Sequence, residues 1–309
     1  MPPKHTVTLD DELSHEKITT PNSQPSAPHH FPHHVGQPGQ GMNARAQLAT
    51  EYVPAPDGHE EESRSRVSTL RSEAPLMLRL TMSKGPEPWA ITESQMVRVC
   101  IAAGAAGPVG GDHLQLIADV GAGSTLFLSD ISATLLLPGP HGEQSRIDTR
   151  IQVGVGATLI WLPEPIIAAA GCNHLNTVHI DLEPGSRLLM REELLLGRHG
   201  ELPGTIRQHV RVSLDGQPLY HQHLDLGPDI PGWDSPAIAH SHRALGSILT
   251  VDPAWSTAPP PAQSLTGDAA LLPLSGPAVL ISALAGDSLQ LRQLLGEGLK
   301  ALGPPWTPA

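Results

Sequence analysis

The residues whose types and spacing could do chemistry are a set of histidine pairs and isolated carboxylates. HQH (His221, His223) and HSH (His240, His242) are both i, i+2 pairs. On a strand, each pair projects to one face, close enough to share a divalent first-row metal that accepts imidazole and carboxylate together. The plain alternative is a polar surface strand. Cys172 near His174 poses the same choice between a ligand pair and a small buried hydrophobe. PHHFPHHV places His29, His30, His33 and His34 together, as a metal-binding cluster or a solvated low-complexity tail. Glu164 stands between two prolines after Trp161, which restricts where its carboxylate points. Glu192 and Glu193 are adjacent, so on a strand they face opposite ways and one points inward. A buried carboxylate needs a partner or a cation, and Arg198 is the expected partner. Asp112, after two glycines, fits a turn residue that hydrogen-bonds its own backbone.

The familiar catalytic signatures are missing. The 309 residues contain no G-x-x-x-x-G-K-[ST] loop, no G-x-S-x-G elbow and no paired C-x-x-C. A formal net charge of −12 disfavours attraction to nucleic acid or anionic lipid. The N-terminus lacks a secretory signal pattern, and no run of 18 apolar residues exists. Two cysteines suit a reducing compartment, so a cytoplasmic protein is expected.

The elements that must position these groups read as strands. Ile147, Thr149, Ile151 and Val153 alternate with polar or charged neighbours; so do Val178, Ile180 and Leu182, and again Ile206, Val210, Val212 and Leu214. Three stretches share one plan: DVGAGSTLFLS, QVGVGATLIWL and DLEPGSRLLMR, aligned on Gly123, Gly156 and Gly185. Each predicts a strand, a turn closed by a positive-φ glycine and a second strand, with Leu126, Leu159 and Leu188 buried. The expected fold is mainly β, with layered sheets of stacked β-hairpins and a few helices. One helix near the C-terminus is capped by Asp287 or Ser288 and carries a stripe of Leu289, Leu291, Leu294, Leu295 and Leu299. Residues 1–66, rich in Pro, His, Gln and Ser, are expected to form a disordered tail, with one domain over 67–309.

The three glycine units carry a family resemblance. GGDHLQLIADVGAGSTLFL, VGVGATLIWLPEPIIAAAG and LEPGSRLLMREELLLGRHGE occur in order and at the spacing of the urease accessory protein UreD/UreH family, which they resemble over roughly Leu76 to Pro253. The chain reads LSDISAT where the family often has T-T-Q-A-A-T. The resemblance implies a non-enzymatic chaperone of urease maturation. It would act with UreF-like and UreG-like accessory proteins on apo-urease, with GTP hydrolysis left to the UreG-like partner. It also implies nickel in transit rather than a resident cofactor, and no nucleotide bound by this chain. Asp112, Glu164, Glu192, His221 and His223 are then candidate ligands of a transient nickel path. A carbohydrate-active β-helix-like or cupin-like enzyme, with Glu164 and Glu192 as its carboxylate pair, would need an aromatic-lined groove. Only 3% of residues are aromatic, which argues against it. A metal-free interaction scaffold is the third reading.

Overall fold

A computed structural model describes residues 41–55, 63–82 and 96–307. Its strands in chain order are β1 (Asn43–Val53), β2 (Arg64–Arg71), β3 (Leu76–Leu80), β4 (Met96–Ala103), β5 (His113–Val120) and β6 (Thr125–Asp130). Then come β7 (Thr134–Leu136), β8 (Ser145–Val153), β9 (Thr158–Leu162), β10 (Ile166–Ala168), β11 (Asn173–Leu182) and β12 (Arg187–Leu196). The last are β13 (Thr205–Leu214), β14 (Gln217–Leu226), β15 (Ala244–Val251), β16 (Gln263–Ser264), β17 (Asp268–Pro273) and β18 (Ala278–Ala285), followed by helix α1 (Ser288–Leu302). The fold is mainly β, as expected.

Seven strands form one sheet in the order β14-β13-β11-β8-β5-β1-β2, and nine path strands of a second run β16-β17-β18-β15-β12-β9-β6-β4-β3. Each glycine unit crosses from the first sheet to the second. The strands on either side of a turn do not pair with each other: β5 pairs with β8, and β6 with β9, in parallel. The repeat is therefore a stack of arches in a solenoid-like body, not of locally paired hairpins. The alternating pattern is the same in both cases, because period 2 reports which face is buried and not which strand is the neighbour. Gly123, Gly156 and Gly185 have φ of 71°, 64° and 73°. The turns also bond to one another, Gly123 N–H donating to Val155 O and Gly156 N–H to Pro184 O. Leu126, Leu159 and Leu188 are fully buried side by side.

Two further expectations are corrected. Strand β1 and the first three residues of β2 lie within the stretch whose composition suggested a tail. β1 pairs in parallel with β5, burying Ala44, Ala46 and Leu48. The folded body thus begins by Asn43, well before residue 67. Small alanines alternating with polar residues carry too weak an apolar signal to stand out beside a Pro- and His-rich segment. Residues 1–40, with the cluster at His29 to His34, lie outside the described residues. In α1, Asp287 is the N-cap, its side chain accepting from Gln290 N–H, and Leu291, Leu294 and Leu295 are buried. Leu289 projects into solvent instead, 69% exposed, because it sits two residues past the cap on the far face.

The main core fills the space between the sheets: Val120, Leu126, Val153, Leu159, Leu182 and Leu188 among others. The outer face of the second sheet packs under α1, Ile248 of β15 and Ile281 of β18 lying beneath Leu291 and Leu295, with Ile160 and Leu189 in the same cluster. Strands buried on both faces read as continuous apolar runs, which is why TLIWL of β9 and RLLM of β12 do not alternate.

Candidate functional site

Away from the glycine turns the interior changes character. On the first sheet the inward row passes from Val120–Val153–Leu182 at the turns to Leu114–Ile147–Asn176–Gln208 farther along. On the second sheet Leu126, Leu128 and Asp130 share one face of β6, as Leu188, Met190 and Glu192 do on β12. The two polar rows line a cavity of about 150 Å³, shared with Thr149, Trp161 and Glu164. Its rim reaches solvent at Ala103, Ser132 and Ala133. A second cavity of about 350 Å³ lies beyond, lined by Gln222, Ser247 and Ser282 with exposed Ala237 and Ile238 at its rim. Glu192 and Gln208 belong to both cavities.

Glu192 is the partition between them. Gln208 Nε2 donates to its Oε1 at 2.6 Å, while Oε2 is buried without a hydrogen-bond partner. Protein encloses the carboxyl, and its remaining accessible surface faces the cavities. Burial, opposed by Gln208 and by the nearby Ser247 hydroxyl, pushes its pKa up to about 7. Burial likewise pushes Asp130 up to about 7, the Glu164 backbone N–H opposing it. The interior thus holds two carboxyls near half-protonation at neutral pH. Such groups can exchange a proton for a cation, and the neighbouring amides and hydroxyl add neutral oxygen donors.

The remaining carboxylates are tied to arginines. Glu193 faces away from Glu192, as adjacent strand residues must, and bonds Arg191 at 2.7 Å and Arg292 of α1 at 3.0 Å. Arg292 also holds Glu164 at 2.6 Å. Arg198, the expected partner, instead pairs with Glu201 at 2.6 Å. Glu193 is held by Arg191, two residues before it, and by Arg292, 99 residues away on α1. Arg191 Nη2 donates to Pro163 O at 3.0 Å, fixing the loop that carries Glu164.

The other candidates lie elsewhere. Both Asp112 oxygens accept backbone N–H groups, from Met42 and Val109 at 2.8 Å each, so this carboxylate ties β1 to the loop before β5. His221 and His223 sit on β14, facing away from the cavities. His240 and His242 occupy a turn rather than a strand, with His240 at φ 50°. Cys172 and His174 are buried, and burial moves the thiol up to about 11 and the imidazole down to about 3. His174 Nδ1 shares a hydrogen bond with Ser145 Oγ at 2.8 Å. Among the described residues, no three His, Cys, Asp or Glu side chains form a metal-holding group, and no helix is long and apolar enough to cross a membrane.

Asp130, Asn176 and Gln208 escaped sequence reasoning although their signal was present. Each falls in step with inward aliphatics: Asp130 after Leu126 and Leu128, Asn176 before Val178 and Ile180, Gln208 between Ile206 and Val210. A polar residue at an inward strand position is the mark of a lined interior.

The comparisons with known proteins agree on one family. The model of the UreD urease accessory protein family matches residues 45–308. Urease accessory protein UreD 2 of Saccharopolyspora erythraea is 38% identical over 293 residues, covering 93% of this chain and 95% of that protein. Urease accessory protein UreD of Streptomyces avermitilis is 42% identical over 235 residues, covering 76% and 90%. That of Streptomyces coelicolor is 41% identical over 234 residues, covering 75% and 89%. A body of stacked arches with a polar interior, and a family match running from β1 to the end of α1 and beyond, lead to one conclusion: the chain belongs to the UreD urease accessory protein family.

Proposed function

We propose that this chain serves urease maturation as a non-enzymatic chaperone that conducts nickel, its cargo, through the two cavities joined at Glu192. It works in the cytoplasm in a complex with a UreF-like protein, a UreG-like GTPase and apo-urease, and binds no nucleotide itself. The observation that carries this reading is the Glu192–Gln208 pair common to both cavities, with a buried carboxylate oxygen left free. A conduit needs ligands that release what they bind. One carboxylate at a time, with amide and hydroxyl oxygens around it, meets that need, whereas a closed multi-ligand cage would trap the ion. Glu164 and Asp130 extend the oxygen lining on the side of the first cavity. Asp112 is left out of the path, because both of its oxygens are engaged by backbone.

Reconstituted maturation tests this. Apo-urease, the two partners, GTP, bicarbonate and nickel are combined with the parent chain, Glu192→Gln or Glu192→Leu, and the nickel content of urease is measured. Glu192→Leu should abolish delivery while the variant still enters the complex, and Glu192→Gln should lower it. Full delivery by a folded Glu192→Leu chain would remove the conduit.

A further inference from the structure

We propose that the outer face of edge strand β14 carries a divalent-cation site built from His221 and His223, with His209 of β13 beside it. The two exposed imidazoles already point their nitrogens at each other, Nε2 to Nε2 at 3.1 Å. At most one of these nitrogens carries a proton, so the contact offers a lone pair where a cation can enter. With metal–nitrogen bonds of about 2.1 Å, nitrogens 3.1 Å apart subtend about 95° at the ion. That is an angle a first-row divalent centre accepts after small rotations of the two exposed rings. An imidazole pair with water in the other positions takes a first-row divalent ion of the nickel(II), copper(II) or zinc(II) type.

The surroundings support the same assignment. His209 lies opposite His223 in the β13–β14 register, and the two rings stack at 4.1 Å between centroids. His209 Nε2 is 3.7 Å from Asp225 Oδ1, which places a carboxylate at the margin of the cluster. Arg211, in register with His221, is the cation that opposes binding from the same face. Two imidazoles supply the bonds and water fills the other positions, giving an exchangeable surface site rather than a cage. It is separate from the interior: Gln222 and Leu224, which alternate with these histidines, line the second cavity from the other side of the strand.

Calorimetric titration of the full-length, tag-free chain with nickel chloride tests the site. His29, His30, His33 and His34 are changed to Ala in every sample, so that heat from that cluster is removed. Loss of an outer-shell group already weakens metal sites by about 10- to 100-fold. His221→Ala and His223→Ala should therefore each weaken binding at least about tenfold, and His209→Ala by a smaller factor. The site should persist in a Glu192→Leu background, which separates it from the interior conduit, and should be indifferent to His240→Ala. Equal nickel isotherms for the parent and the His221→Ala/His223→Ala double variant, with matching thermal melts, would overturn it, as would a parent that binds no nickel.

Discussion

The two ends of the space between the sheets are built from the same strands and do opposite things. At the glycine turns, Val120, Val153 and Leu182 face Leu126, Leu159 and Leu188, and every one is buried at 2% exposure or less. A few residues along the same strands, Asn176 and Gln208 face Asp130 and Glu192 around open volume. The backbone does not distinguish the ends, since the parallel ladder of β8 with β11 runs unbroken through both. What differs is whether the inward side chains can fill the gap without leaving polar atoms unsatisfied. The aliphatic end closes the fold and holds it, so the other end can remain hollow and carry ionisable groups at a cost the whole can bear.

The sharpest break in this contrast comes from truncating the aliphatic end. Leu159→Ala leaves a void among fully buried neighbours and should lower unfolding free energy by about 2–5 kcal/mol, read from urea denaturation. A loss under about 1 kcal/mol would mean that this end is not the closing core.

The polar end should reveal itself by pH. A carboxyl whose pKa is higher folded than unfolded binds its proton better in the folded chain. Its contribution to stability is therefore full below the unfolded pKa near 4.3 and is lost as pH rises through about 7. For Glu192 the shift from the ordinary 4.5 to about 7 corresponds to at most about 3–4 kcal/mol. Subtracting the stability curve of Glu192→Gln from that of the parent isolates this share, because Asp130 and the buried His174 are common to both proteins. The parent should lose ground steadily between about pH 4.5 and 7.5. A flat difference would mean that Glu192 is solvated like a surface carboxylate.

Smaller effects sharpen the comparison. Gly156 has φ of 64° and open space around the position of an added Cβ. Gly156→Ala therefore carries backbone strain alone and should cost about 1–2 kcal/mol, again from denaturation midpoints. Glu192→Leu should change stability at pH 7 least of all, within about 1 kcal/mol of the parent or above it, since a well-packed apolar group replaces a buried ionisable one. Thermal melts would read this. A drop of several kcal/mol would make Glu192 a structural anchor rather than a lining group.

Taken alone, the amino-acid order determined the local geometry. Period-2 runs in β8, β11 and β13 announced half-buried strands, and each glycine unit announced its turn and its buried leucine. Asp287 followed by the spaced leucines announced α1. These features depend on interactions within a few residues, such as backbone freedom at glycine, capping and alternation of faces. The family motifs pointed the same way. Tertiary structure decided which strands became neighbours. It turned expected hairpins into arches between two sheets, and it drew β1 and the start of β2 out of a Pro- and His-rich segment into the body. It also added a second arginine to Glu193 beside the local Arg191. Arg198 was near in sequence but engaged Glu201, and Arg292 arrived on α1 from 99 residues away. The hollow around Glu192 belongs to this second class as well. An inward polar residue can be read from its place in a strand, but whether its oxygen meets a partner, a neighbouring side chain or empty space depends on the row that packs opposite. That row comes from a different part of the chain.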